Sequence, residues 1–168
     1  QALVALGILW GSDAANVFCD EWKSVDYHGG IDGYWEVACD PHGMVTDLSM
    51  YIPYQGFGVV PEAITALSAL QTLGLSMPGY NGSAEILGHF PNLQYVDLSY
   101  TTFSGSIPES IGNAKSLQYM GLGGNNVSGP IPASLGSLVN LTSLDVSSNH
   151  LNGSLPDSIT RLALLQHL

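Results

Sequence analysis

Tyr95 and Tyr119 are the residues whose type and spacing point most directly to binding chemistry. They lie 24 residues apart, Asp97 and Tyr100 follow the first of them closely, and Asp145 lies twice that interval beyond Asp97. Aromatic rings are the usual anchors of recognition surfaces, and a neighbouring carboxylate adds charge selectivity. We therefore predict a ligand-binding patch formed by Tyr95, Asp97, Tyr100, Tyr119 and Asp145. The alternative is a pair of tyrosines that only pack on each other and shield a sheet.

No catalytic arrangement accompanies these residues in the sequence. Nucleophilic catalysis needs a base and an orienting group, glycoside hydrolysis needs paired carboxylates, and neither can be assembled here with any specificity. The five histidines show neither H-E-x-x-H nor another close ligand spacing. The acidic residues near the N-terminus lack the D-x-D-x-D-G spacing of a calcium loop. We therefore predict a chain that is not an enzyme, with no metal site and no cofactor.

The elements that must position the patch are copies of one unit. The unit is written three times in succession, starting at Val96, Met120 and Leu144, with 24 residues in each copy. Looser copies of 25 and 23 residues start at Leu48 and Leu73. One unit of this length cannot bury its own apolar residues, so successive coils must stack and share a core. The five consecutive coils exceed the roughly three that independent stability requires.

Each copy opens with alternating apolar residues, which predicts a short strand with its first and third positions pointing inward. Equivalent strands of successive coils should lie parallel and about 4.8 Å apart. Tyr95 and Tyr119 should then stand side by side on the outward face, with Asp97 adjacent. Asn125 and Asn149, at the turn position, should satisfy backbone groups in a ladder, which we expect Pro53, Pro78 and Thr101 to interrupt.

The repeat is written L-x-L-x-x-N-x-L-x-G-x-I-P-x-x-L-x-x-L-x-x-L, and the motif W-x-x-x-C-D-x-x-G-x-V precedes the first copy, from Trp35 to Val45. This pattern resembles the plant-type leucine-rich repeat of receptor-kinase ectodomains and polygalacturonase-inhibiting proteins, over nearly the whole chain. The resemblance implies an α/β repeat fold: a right-handed leucine-rich-repeat solenoid with a parallel β-sheet on the concave face and short 3₁₀ or irregular turns on the convex face. Residues 1–44 would form an N-terminal disulfide cap, and residues 45–168 would form five repeats that continue beyond residue 168.

The expected cap has two features of its own. Leu3, Leu6 and Leu9 place an apolar stripe on a short helix that would cover the first coil. Cys19 and Cys39 stand where the resembled family has four cysteines, and a single bridge between them is inferred. A bridge that closes about 20 residues would stabilise the fold by about 3 kcal/mol in the loop-entropy model.

The charge balance limits the class of partner, and the modification motifs indicate the cellular compartment. Three basic residues stand against 14 acidic ones, giving a net charge of −11, which argues against a nucleic-acid partner. Four N-x-[ST] sequons, at Asn81, Asn126, Asn140 and Asn152, predict N-linked glycans and passage through a secretory lumen. No stretch reaches the roughly 20 apolar residues of a membrane span. We therefore predict a secreted or cell-surface glycoprotein.

The predicted function is non-catalytic recognition of a protein, peptide or glycan ligand on the concave leucine-rich-repeat face. One alternative is a structural building unit of an extracellular matrix, cell wall or filament, with self-association through the apolar C-terminal end at Leu162, Leu165 and Leu168. A further alternative is an ice-binding or lectin-like surface, which the hydroxyl-rich composition suggests, although the outward rows contain no regular threonine ladder.

Overall fold

A computed structural model describes residues 34–51, 58–60, 62–76 and 78–168 of the chain. Strands and 3₁₀ helices alternate through this part. The strands are β1 (Tyr34–Cys39), β2 (Val45–Tyr51), β3 (Gly58–Val59), β4 (Thr72–Ser76), β5 (Tyr80–Asn81), β6 (Tyr95–Asp97), β7 (Ser104–Gly105), β8 (Tyr119–Gly121), β9 (Asn126–Pro130), β10 (Ser143–Asp145) and β11 (His150–Asn152). The 3₁₀ helices are η1 (Glu62–Ala66), η2 (Ala84–His89), η3 (Glu109–Asn113), η4 (Ala133–Ser137) and η5 (Asp157–Arg161).

The main sheet has six strands in the order β1, β2, β4, β6, β8 and β10. From β2 onward every neighbouring pair is parallel, which confirms the predicted sheet. β1 is antiparallel to β2, and this strand was not foreseen, because it lies outside the 24-residue period. Two smaller sheets, β7-β9-β11 and β3-β5, accompany the main one.

One column of inward residues runs the length of the main sheet. Each member is the register partner of the next and is at most 1% exposed: Leu48, Leu73, Val96, Met120 and Leu144. Fully burying a side chain of this size stabilises a fold by about 1.5–3 kcal/mol. The column confirms the central prediction from the repeat, that equivalent apolar positions stack in a shared core.

The 3₁₀ helices form the side opposite the sheet, as predicted. Pro108, Pro132 and Pro156 immediately precede η3, η4 and η5, with φ between −76° and −68°. The proline ring fixes φ in this range and removes a backbone donor, so the extended segment ends there. Each proline carbonyl then accepts the backbone N–H three residues later, at 3.0–3.1 Å, which closes the first 3₁₀ turn.

Glycine lets successive 3₁₀ helices approach closely. A Cβ added at Gly112 would lie 2.8 Å from the Cβ of Ser134 and 2.9 Å from its carbonyl oxygen. Gly136 meets the carbonyl oxygen and Cβ of Ser158 in the same way, whereas Gly88 lies against the hydroxyl of Ser110. A side chain at any of these three glycines would collide with the next coil.

Asn125 forms the predicted amide ladder inside the turn. It is 5% exposed, its Oδ1 accepts the backbone N–H of Phe103 at 2.9 Å, and its Nδ2 donates to the carbonyl oxygens of Leu98 and Leu122 at 2.8 and 2.9 Å. These bonds pair backbone groups of two coils that would otherwise be buried without partners. Asn125 therefore links its own coil to the preceding one.

Asn149 repeats the arrangement one coil later, accepting the N–H of Val127 at 2.9 Å and donating to the Leu122 carbonyl oxygen at 2.8 Å. The prediction that Thr101 interrupts the ladder is wrong. Its hydroxyl lies 2.8 Å from the Leu98 carbonyl oxygen and 2.7 Å from Oδ1 of Asn125, and its one proton is shared between these two acceptors. A threonine hydroxyl has a donor and two acceptor lone pairs, so it takes the place of the amide here.

The predicted apolar helix around Leu3 to Leu9 and Cys19 both lie outside the described residues. Cys39, at the end of β1, is half-buried and disulfide-bonded. Its pairing with Cys19 and the boundary of the cap at residue 44 stay predictions.

Candidate functional site

Tyr95 and Tyr119 occupy equivalent positions on β6 and β8 and are direct register partners. Their rings are stacked, with centroids 4.6 Å apart and planes inclined by 10°. Tyr95 is 40% exposed, and Tyr119 is half-buried. The predicted side-by-side arrangement is confirmed. Such a pair contributes about 0.5–1.5 kcal/mol beyond the area it buries, and it leaves aromatic surface open on the sheet.

Asp97 and Asp145 flank β8 from its two sides. Gly121 of β8 is the register partner of Asp97 on β6 and of Asp145 on β10. A Cβ at Gly121 would lie 2.8 Å from Oδ1 of Asp97, and a Cβ at Gly123 would lie 2.6 Å from Oδ2 of Asp145. Both carboxylates therefore lean over the bare backbone of β8 and its continuation.

A short backbone turn holds each carboxylate in place. Oδ1 of Asp97 accepts the N–H of Ser99 at 3.0 Å, and Oδ1 of Asp145 accepts the N–H of Ser147 at 2.9 Å. A side-chain bond to the backbone two residues ahead is the Asx turn that aspartate favours. Within the described part of the chain, Oδ2 of neither residue accepts a hydrogen bond, and neither carboxylate has an ion-pair partner. These oxygens can accept further hydrogen bonds.

Both carboxylates influence the pKa of the Tyr119 phenol, which lies beside them. Burial raises the pKa of Tyr119, and the negative charges of Asp97 and Asp145 raise it further. The phenol therefore stays protonated at neutral pH, where it can donate one hydrogen bond and accept another. The direction of this pKa shift agrees with the geometry, in which Tyr119 lies beside two unneutralised carboxylates.

Tyr100 lies at the end of the same strand and is 73% exposed. Its φ of +57° lies in the left-handed region, which costs a residue with a side chain about 1–3 kcal/mol. The backbone holds this conformation because the N–H of Tyr100 donates to the Gly123 carbonyl oxygen at 2.8 Å. The ring covers Gly124, where an added Cβ would lie 2.8 Å from Cδ1 of Tyr100.

The structure thus brings all five predicted residues to one region of the concave sheet, and we call Tyr95, Asp97, Tyr100, Tyr119 and Asp145 the tyrosine–aspartate patch. Sequence reasoning missed the part played by Gly121, Gly123 and Gly124, which form the floor of the patch. The signal in the sequence was their position, because Gly121 and Gly123 fall at outward positions of the strand where the two neighbouring coils carry Asp and Ser.

The four sequons lie away from the patch. Asn81, Asn126 and Asn152 are exposed on β5, β9 and β11, which belong to the smaller sheets. Asn140 is exposed in the segment between η4 and β10, and its Nδ2 donates to the Lys115 carbonyl oxygen at 2.8 Å. Sugars at these positions would leave the concave sheet open.

Among the described residues, no group of three or more His, Cys, Asp or Glu side chains is arranged to hold a metal ion. A search of the same residues for a helix with the length and apolar character of a bilayer span finds none.

The leucine-rich-repeat family model matches three segments, residues 92–114, 116–138 and 140–162. No curated protein matches the chain. Among solved structures, the plant peptide hormone receptor RGFR1 in complex with RGF2 is 31% identical, with a TM-score of 0.67, over 73% of this chain and 20% of that one.

Two further structures are similar. The ectodomain of the membrane receptor kinase GASSHO1/SCHENGEN3 from Arabidopsis thaliana, in complex with CASPARIAN STRIP INTEGRITY FACTOR 2, is 29% identical with a TM-score of 0.62, over 73% of this chain and 15% of that one. A plant ice-binding protein is 27% identical with a TM-score of 0.69, over 89% of this chain and 51% of that one. The chain therefore spans a fifth or less of the length of the two receptors.

Proposed function

We propose that this leucine-rich-repeat chain, whose structural neighbours are extracellular ectodomains of plant receptor kinases, is a non-catalytic recognition module that binds a peptide or protein ligand on its concave face. The tyrosine–aspartate patch is the contact site in this proposal. N-linked glycans on the four sequons and a Cys19–Cys39 bridge belong to the same proposal, since both require a secretory compartment.

The observation that carries the proposal is the stacked pair of Tyr95 and Tyr119 on the open sheet. Two partly exposed rings in contact offer a flat apolar surface at little entropic cost, because each side chain already holds the other in position. A tyrosine pair that only packed together and shielded the sheet would need no neighbouring charges. Asp97 and Asp145 nevertheless lie beside it, without ion-pair partners in the described part of the chain. Aromatic surface bordered by free charge is typical of a recognition site.

The similar structures support a peptide as the ligand class. RGFR1 is a peptide hormone receptor that was solved with RGF2 bound, and the GASSHO1/SCHENGEN3 ectodomain was solved with CASPARIAN STRIP INTEGRITY FACTOR 2. Both share the repeat fold with this chain at about 30% identity. An extended parallel sheet presents many side chains in rows, which suits an extended peptide laid across the strands.

Selection from a random-peptide display library on the immobilised chain tests the proposal. The affinity of each selected peptide is then measured by calorimetry for the unmodified chain and for Tyr95→Ala combined with Tyr119→Ala. We expect the double variant to lose at least about tenfold in affinity, as truncation of central aromatic anchors usually does. Val139→Ala, which truncates an exposed apolar residue outside the sheet, is the matched control and should bind normally.

Circular dichroism of the double variant must show an intact fold before its affinity is compared. The proposal fails if no peptide is enriched, or if the enriched peptides bind the double variant as tightly as the unmodified chain.

Ice binding is the second candidate, because the similarity to the plant ice-binding protein covers 89% of this chain. The outward rows of the main sheet mix Ser, Gly, Asp and Tyr, whereas ice recognition would use a regular array. An assay of ice recrystallisation with the purified chain separates the two candidates. None of the structures compared above is a matrix or filament protein, and light scattering at rising concentration tests self-association directly.

A further inference from the structure

The charge of the concave face carries an inference about the ligand that deepens, and rests on, the proposed function. Among the described residues, the lysine and arginine side chains are those of Lys115 and Arg161. Lys115 follows η3 and Arg161 ends η5, so both lie on elements outside the main sheet. In its described part, the outward face of the sheet therefore carries aspartates with no lysine or arginine to neutralise them.

The two carboxylates of the patch lean over neighbouring glycines of one strand and its continuation, Asp97 over Gly121 and Asp145 over Gly123. Asp97 leans onto β8 from β6, and Asp145 leans onto its continuation from β10. Their Cα atoms are separated by two strand spacings, about 10 Å, and the side chains close part of that distance by leaning inward. Gly121 lies between them in register, and its backbone is already bordered by side chains, since a Cβ there would lie 2.8 Å from Oδ1 of Asp97 and 3.0 Å from Oγ of Ser99.

The Tyr119 ring forms a third side of the space between Asp97 and Asp145. A Cβ at Gly121 would lie 3.0 Å from Cε1 of Tyr119, so the Tyr119 ring borders the same gap as Oδ1 of Asp97. Cations are attracted to the faces of aromatic rings, and the guanidinium of arginine also stacks on them. Carboxylates on two sides and a phenol on a third favour a positively charged planar group.

We propose that the concave face binds a cationic extended peptide, with one arginine side chain lying across β8 and its continuation, between Asp97 at Gly121 and Asp145 at Gly123, and against the Tyr119 ring. A guanidinium carries five N–H donors in a plane, so one group can donate to both carboxylates at once. The free Oδ2 atoms of Asp97 and Asp145 are the acceptors, since each Oδ1 already accepts a backbone N–H. The net charge of −11 draws a basic peptide toward the chain and speeds association.

The test uses a synthetic peptide of alternating arginine and serine, with a glutamine-serine peptide as the neutral control. Calorimetry measures both against the unmodified chain, against Asp97→Asn combined with Asp145→Asn, and against Glu62→Gln combined with Asp157→Asn. The second pair removes the same charge from exposed positions on η1 and η5. Asparagine can still accept the backbone N–H at both patch positions, so the fold is preserved in the first pair.

We expect the arginine peptide to bind and the glutamine peptide not to bind. The patch variant should lose at least about tenfold in affinity, as loss of a charged partner in a contact usually causes. The control variant should change affinity less than about twofold, since its two exposed charges lie on η1 and η5 rather than on the main sheet, where salt screens their effect on the ligand.

Equal loss in the two variants would overturn the proposal, because it would show diffuse attraction to an acidic protein. It is also overturned if the arginine peptide does not bind, or if calcium alone binds with the same dependence on the two aspartates. The peptides selected by display distinguish a failure of the cationic-ligand proposal from a failure of the proposed recognition function. If they carry no arginine or lysine but still need Tyr95 and Tyr119, the recognition function stands and the cationic ligand does not.

Discussion

The hydroxyl of Thr101 donates a hydrogen bond of 2.7 Å to the amide oxygen of Asn125, exactly one 24-residue period further along the chain. Both side chains are buried. The bond joins equivalent turn positions of two successive coils, so each coil completes the polar interior of the next. The same dependence of one coil on its neighbour underlies the predictions that follow.

We expect Asn125→Ala to be among the most destabilising substitutions in the chain. It leaves the carbonyl oxygens of Leu98 and Leu122 and the N–H of Phe103 without their partner, inside a turn that water does not reach. The free energy of unfolding should fall by about 3–5 kcal/mol. Asn149→Ala, at a half-buried position, should cost less. Urea unfolding followed by circular dichroism compares the two, and an equal loss would contradict the ladder as the cause.

Replacing the glycines of the 3₁₀ helices with alanine should lower the free energy of unfolding by amounts that depend on what the new Cβ meets. At Gly136 the new Cβ would collide with the carbonyl oxygen of Ser158, and at Gly88 mainly with the hydroxyl of Ser110. A hydroxyl can rotate away whereas backbone cannot, so Gly136→Ala should cost about 1–3 kcal/mol and Gly88→Ala less. Thermal unfolding measures the difference, with Ser137→Ala as the control on η4. Equal losses at the two glycines would show that collision with the Ser158 backbone does not set the cost.

The pH dependence of Tyr119 follows from its raised pKa. Because the folded-state pKa lies above the unfolded value of about 10, the contribution of this phenol to stability is fully present below pH 10. It is lost as the pH rises from there through the folded-state pKa. Ultraviolet absorbance titration of the chain against Tyr119→Phe isolates the phenol. Asp97→Asn combined with Asp145→Asn should move its pKa down, and no movement would mean that burial alone causes the shift.

Replacement of different sequon asparagines should lower the free energy of unfolding by different amounts. Asn140→Gln removes the hydrogen bond to the Lys115 carbonyl oxygen as well as the sequon, whereas Asn126→Gln removes a sequon whose side-chain amide makes no hydrogen bond to the described residues. We expect the first to lower stability by about 0.5–1.5 kcal/mol relative to the second. Intact-mass measurement before and after glycosidase treatment tests the glycans themselves, and an unchanged mass would contradict secretion through a glycosylating compartment.

Removal of the glycans should leave peptide affinity unchanged within about twofold, because all four sequons lie outside the main sheet. Calorimetry of the treated and untreated chain with the selected peptides provides the measurement. A larger change would place a sugar in contact with the ligand.

The amino-acid sequence by itself determined which residues align from coil to coil. A constant period places equivalent positions on neighbouring strands, so the buried column from Leu48 to Leu144 and the pairing of Tyr95 with Tyr119 followed from counting. The tertiary structure decided what those residues do to one another: that Asp97 leans over Gly121 and Asp145 over Gly123, that Thr101 joins the amide ladder and that β1 pairs antiparallel to β2. The physical reason is that a period specifies position along the stack, whereas side-chain rotamers and the closeness of coils depend on contacts between residues far apart in sequence.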